Sequence, residues 1–178
     1  MNYFELYEMP ITLKPDQAYV KQKFYALSRQ YHPDFFTNAS DEEQASVLEK
    51  SSMVNQAFKI FQNEDLTIHY LLQIKGLIEE EEKYKLSPDF LMEVMDINEQ
   101  LMDAEVGADP SALSHTEEQA KNLMGQIYEE VAPTINNYQD KGDDEPAMKE
   151  LKDYYYKKKY MQRILGKIVE LRNIAPRK

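Results

Sequence analysis

Apolar residues in this chain recur every three or four positions over almost its whole length, and no segment alternates in the Val/Ile/Thr manner of a strand series. The amphipathic helix is therefore the one regular element available, and an all-α fold is expected. From Asp16 to Tyr31 the apolar stripe is Val20, Phe24, Leu27 and Tyr31; from about Asp41 to Phe61 it is Val47, Val54, Phe58 and Phe61. Pro33 ends the first stretch, because proline offers no amide hydrogen and disfavours helical geometry in the residue before it. Asn38, Ser40 and Asp41 are candidate caps for the second. Two such helices with opposed stripes and a short connection predict an antiparallel hairpin, with a short helix at Tyr3 to Tyr7 over its open end.

Further along, Leu66 to Lys75 reads as a short helix stopped by Gly76. Four glutamates at 79–82 follow and read as a solvated linker, so a domain boundary is expected here: a first domain at 1–76, an acidic linker at 77–87 and a second domain at 88–178. The second domain reads as a three-helix bundle. Ser87 caps its first helix, with Pro88 at the first helical position, and Gly107 and Pro110 close it. Ser114 and Glu117, at capping-box spacing, open the next, with a stripe of Ala120, Leu123, Ile127, Val131, Ile135 and Tyr138 that Pro133 should kink or split. The last helix follows Pro146 and carries Leu151, Tyr154, Met161, Leu165 and Ile168.

Composition removes several kinds of chemistry. With no cysteine in 178 residues, disulfides, thiolate metal sites and cysteine nucleophiles are excluded. His32, His69 and His115 lie far apart, without His-x-x-x-His or Glu-x-x-His spacing, which leaves a carboxylate metal enzyme without its motif. There is no glycine-rich phosphate loop and no nucleophile elbow. No resident cofactor or metal and no catalytic residue is expected. A net charge of -11 disfavours nucleic acid and anionic lipid as partners. The run Lys157-Lys158-Lys159 fits a solvated helix face, with Asp153 placed to pair with Lys157. Glu5 and Glu8 near the start, and the lack of a long apolar run, give neither a signal peptide nor a membrane span, so a cytoplasmic location is expected.

The charge is uneven: residues 1–75 hold seven Lys or Arg against ten Asp or Glu, and residues 76–178 hold fourteen against twenty-two. Within the acidic whole, the helix before Pro33 is locally basic, with Lys21, Lys23 and Arg29. His32-Pro33-Asp34 sits in the turn between the two long helices. By itself such a tripeptide is a helix stop with a surface histidine and a turn aspartate. Its setting between paired helices, behind a basic face suited to an acidic partner, points to recognition of another protein.

Tyr3-Phe4 through Leu6, Ser28-Arg29-Gln30-Tyr31-His32-Pro33-Asp34, Val54-Asn55-Gln56-Ala57-Phe58, Tyr70-Leu71-Leu72 before Gly76, and Phe90-Leu91-Met92-Glu93 together resemble the HscB family of J-domain co-chaperones, strongly to about residue 105 and weakly afterwards. Three positions depart from it: Phe35 stands where the family usually has lysine, and Glu64 and Thr67 where it has proline and arginine.

The resemblance implies that Lys21, Lys23, Arg29, Tyr31, His32, Pro33 and Asp34 meet a DnaK-type, HscA-like chaperone, with Asp34 pairing to an arginine there. ATP hydrolysis then belongs to the partner. It also implies that the second domain holds an IscU-like iron-sulfur scaffold protein. On the helix from Pro88, Phe90, Val94, Ile97 and Leu101 suffice for a core face, while Leu91, Met95 and Met102 form a second stripe with Met92 and acidic residues beyond it. That stripe is either buried against another helix or exposed to a partner. By similarity Leu91, Met92, Met95, Asp96, Glu99, Asp103 and, on the last helix, Tyr160 are the scaffold contacts. A different client remains the other reading. A monomer is expected in preference to a dimer.

Overall fold

The computed structural model describes residues 1–79, 82–107, 109–142 and 144–174. Its helices are α1 (Tyr3–Leu6), α2 (Gln17–Gln30), α3 (Asp41–Phe61), α4 (Glu64–Ile74), α5 (Pro88–Gly107), α6 (Pro110–Asn137) and α7 (Glu145–Ile174), with a 3-10 turn at Pro33–Phe36. Among the described residues there is no strand, and no helix is long and apolar enough to cross a membrane.

Side-chain caps set the helix starts. Asp16 accepts from the Tyr19 amide, Ser40 from Glu43 and Asn63 from Leu66, each satisfying an amide that the first turn leaves without a helical partner. The Asn63 cap starts α4 at Glu64, two residues before the Leu66 start expected from apolar spacing. At its far end Gly76 takes φ +68°, and the amides of Gly76 and Leu77 return to the carbonyls of Gln73 and Leu72. That pairing is a Schellman stop, which requires the left-handed backbone glycine adopts without strain.

The chain divides into two units, residues 1–78 with 135–145, and residues 79–134 with 146–178. In the first, α2 and α3 pair through their apolar stripes, and Phe24 stacks on Phe58 with ring centroids 4.1 Å apart. Val20, Leu27, Val54, Ala57 and Phe61 form the core with Phe4, Leu6 and Tyr7 from and beside α1. The Tyr7 hydroxyl, carried inside by its ring, donates to the Val54 carbonyl at 2.8 Å, and burial holds its phenol well above the ordinary tyrosine range. Thr67, also buried, places its hydroxyl 2.9 Å from the carbonyls of both Ile60 and Asn63, its single proton shared between them, and closes the corner between α3 and α4. Glu64 pairs with Lys14. Two of the three departures from the family pattern thus have defined local roles.

The second unit packs α5, the greater part of α6, and α7. Phe90, Val94, Ile97 and Leu101 are buried, as are Ala120, Leu123, Ile127 and Val131, and Leu151, Tyr154, Met161 and Ile168. On α7 the inward residue is Ile164, with Leu165 half-buried, a difference of about 100° around the helix. Three further expectations change. Asp109 caps α6, accepting from the Ser111 amide at 2.9 Å, so the helix opens at Pro110; Ser114 lies inside it and donates to the Pro110 carbonyl. Pro133 does not split α6, because proline forfeits one ladder hydrogen bond while the buried stripe continues through Val131 and Ile135. And Glu82 is no free linker charge: it accepts from Lys152 at 2.7 Å and from the Tyr156 hydroxyl at 2.8 Å, while Tyr84 stacks on Tyr156 and donates to Asp153. These bonds, the Lys152 one first, lower the Glu82 pKa. Glu80 and Glu81 lie outside the described residues.

Candidate partner-binding surfaces

Residues 31–40 connect α2 to α3, and the chain turns there on Pro33. Proline fixes φ near the value the 3-10 turn needs and has no amide to satisfy at its first position. His32 precedes the turn with extended backbone; its Nδ1 accepts from the Asp34 amide at 3.3 Å, and its carbonyl from the Phe35 amide at 3.1 Å. The Asp34 carboxylate lies 3.6 Å from the same ring nitrogen and is 83% exposed. His32, Pro33 and Phe35 are exposed as well, and Phe35 is 70% accessible beside the imidazole. The corner is therefore stiff in backbone and open in side chain. It is flanked by a groove along Ser28 and Arg29 on one side and another along Gln44 and Leu48 on the other.

The basic face of α2 is narrower than its sequence suggests. Lys21 and Arg29 are exposed, eight positions apart on the outer side, with the exposed Tyr25 between them. Lys23 is turned toward α1: it pairs with Glu8, lies over the Tyr19 ring, and is held more basic than usual chiefly by the Glu8 hydrogen bond. Tyr31, half-buried at the end of α2, sits under Lys50. Lys23 is thus separated from the other candidate residues around the tripeptide. Tyr25 is one that sequence reasoning passed over, although its i+4 spacing from both Lys21 and Arg29 marks the same face.

On α5 the second stripe is open. Leu91 is 44% exposed, Met95 56%, Met92 70% and Met102 65%, all beside a fully formed core face on the same helix. Asp96, Glu99 and Asp103 are exposed along one edge. Tyr160 of α7 borders the opposite edge: Asn98 donates to its hydroxyl at 2.9 Å, the Phe90 ring meets it edge-on, and it lines a groove with Met102. One helix face thus brings together Leu91, Met92, Met95, Asp96, Glu99 and Asp103, with Tyr160 at its margin. Contiguous exposed apolar side chains with a charged rim have the form of a protein-binding patch. Among the described residues, no group of three or more His, Asp or Glu is placed to hold a metal ion.

Comparison with known proteins finds relatives for this arrangement. A family model described as the HSCB C-terminal oligomerisation domain matches residues 86–169. A protein named co-chaperone protein HscB homolog from Vibrio cholerae is 34% identical over 113 residues, 63% of this chain and 66% of that protein, so the match spans just under two thirds of that relative. One of the same name from Photobacterium profundum is 34% identical over 125 residues, 69% of this chain and 73% of that protein. The crystal structure of human co-chaperone protein HscB superposes with a TM-score of 0.71 at 28% identity, covering 98% of this chain and 83% of that one. With this fold, and with that identity over that span, the chain belongs to the HscB family of co-chaperones.

Proposed function

We propose that this protein activates a DnaK-type, HscA-like chaperone and delivers to it an IscU-like iron-sulfur scaffold protein, aiding cluster assembly and transfer in the cytoplasm. In this reading residues 1–76 act as the J-domain, 77–87 as the connection and 88–178 as the scaffold-binding domain. The observation that carries it is the exposed His32-Pro33-Asp34 corner on a proline-fixed turn between paired helices. Docking begins with attraction of an acidic partner surface to Lys21 and Arg29, and ends with Asp34 entering the partner to meet an arginine. A charge pair desolvated in this way is worth about 2 to 5 kcal/mol on truncation, enough to shift the partner toward its hydrolysis-competent state. A turn already fixed by Pro33 reduces the ordering cost of that contact. The protein itself performs no chemistry, and the scaffold, held on the Leu91–Met95 face, is presented while the chaperone closes.

Asp34→Asn removes the charge from a side chain that is almost fully solvated, so helical content and melting temperature stay as in the wild type while stimulation of the chaperone's ATP hydrolysis disappears. Full stimulation by this variant refutes the mechanism. For the other surface, Leu91→Ala/Met95→Ala abolishes capture of the scaffold protein in a pull-down without loss of helix; undiminished capture defeats the delivery reading.

A further inference from the structure

The α5 patch has two edges of different charge, and only the acidic one was foreseen from the sequence. With Phe90 taken as zero and about 100° per residue, Leu91, Met95 and Met102 fall at about 100–140°, the acidic edge at about 180–240°, and Asn98 with Glu105 at about 60–80°. The last two face α7: Asn98 bonds to Tyr160, and Glu105 pairs with Lys167 at 3.2 Å. Lys167 is therefore neutralised. Arg163 is not, since among the described residues no carboxylate pairs with it. It is exposed, its guanidinium lies over the Tyr160 ring at 5.6 Å from the centroid, and it lines the groove that holds Met102. Tyr160 is itself fixed by Asn98 and Phe90. A cation stacked on an immobilised ring is already ordered, so pairing with an incoming carboxylate costs less side-chain entropy than from a free arginine.

We propose that Arg163 is the acid-recognising residue of the scaffold-binding face, so that the patch reads its client by apolar contact along the centre, basic groups over Asp96, Glu99 and Asp103, and a carboxylate over Arg163. Opposite charges on opposite edges specify one orientation, because a client turned around sets acid against acid and base against base. The inference rests on the scaffold-carrying reading given above.

The test measures binding of the purified IscU-like scaffold protein to the full chain by titration calorimetry at low and high salt. Relative to wild type, Arg163→Ala raises Kd severalfold and Arg163→Glu raises it by about tenfold or more, with the gap narrowing at high salt and the melting temperature unchanged. Leu91→Ala/Met95→Ala serves as the reference. If that variant loses binding while Arg163→Glu binds as wild type, or if Ala and Glu weaken binding equally at low salt, the inference about Arg163 falls and the scaffold reading stands. If the Leu91/Met95 variant also binds normally, the scaffold reading itself falls.

Discussion

Thr67→Val isolates the one buried hydroxyl that closes the α3–α4 corner. Valine keeps the shape and β-branching, so the change removes a donor without opening a cavity. The two carbonyls it serves keep other donors: the Ile60 carbonyl still accepts from the Asn63 amide at 3.0 Å, and the Asn63 carbonyl from the Thr67 amide at 2.9 Å. No acceptor is stranded, and the loss is confined to the net worth of a hydrogen bond, about 1 kcal/mol. Thr67→Ala adds a lost methyl, about another 1 kcal/mol. Because the effect is local, native-state hydrogen exchange at the Ile68, Leu71 and Leu72 amides is the assay. Exchange there speeds up about fivefold for valine and about thirtyfold for alanine, while α5 amides are unaffected. Protection in Thr67→Val equal to wild type refutes the reasoning, since the hydroxyl then contributes nothing beyond its shape. Thr67→Arg, the residue common in the family, is expected to cost most, because this site has no exposure into which a guanidinium can reach.

Lys121 and then Arg172 hold the Glu117 carboxylate at about 2, below its ordinary value of 4.5. A depressed folded-state value gives stability that is complete above about pH 4.5 and is lost as pH falls toward 2. The melting-temperature difference between wild type and Glu117→Gln is therefore constant near neutrality and vanishes by about pH 2; a difference that persists there contradicts the assignment. Gly76→Ala meets open space but must hold φ +68°, so urea unfolding should report a loss of about 1 kcal/mol, and an unchanged midpoint would mean the α4 stop has rearranged.

Periodicity made the helical fold legible, because each stripe samples its face many times: Val20, Phe24, Leu27 and Tyr31 cannot all point inward unless the segment is a helix. Where one residue decides, the sequence was ambiguous. Asp109 and Ser114 are both good caps near a helix start, and nothing local says that the Asp109 carboxylate reaches the Ser111 amide first. Ile164 and Leu165 are equally apolar neighbours, and which turns inward depends on the phase of a helix packed on two others. The Glu82 bonds to α7 join residues about seventy positions apart, a non-local pairing that a run of four glutamates conceals. Likewise the openness of the second α5 stripe followed from the number of helices available to cover it, and not from Leu91, Met95 or Met102 themselves.

The pairing of Lys23 with Glu8 changes how the basic face of α2 operates. Three cations spread around a helix would give a diffuse positive field. With Lys23 matched, the cations of α2 that no carboxylate pairs with among the described residues are Lys21 and Arg29, about two helical turns apart along the Lys21–Tyr25–Arg29 ridge, which winds about 80° around the helix toward the tripeptide. In a chain of net charge -11 the field of such a ridge survives only at short range, since at physiological salt fields fade over about 8 Å. Under the proposed function, an acidic partner surface would be felt only once it is already near α2, and would then be aligned along that ridge. That alignment would bring the partner onto the corner at Asp34, where the desolvated contact would decide the outcome. In that proposed reading, electrostatics on α2 sets the approach, the Asp34 corner sets the response, and Glu8 sharpens the first by cancelling a charge on the other side of the helix.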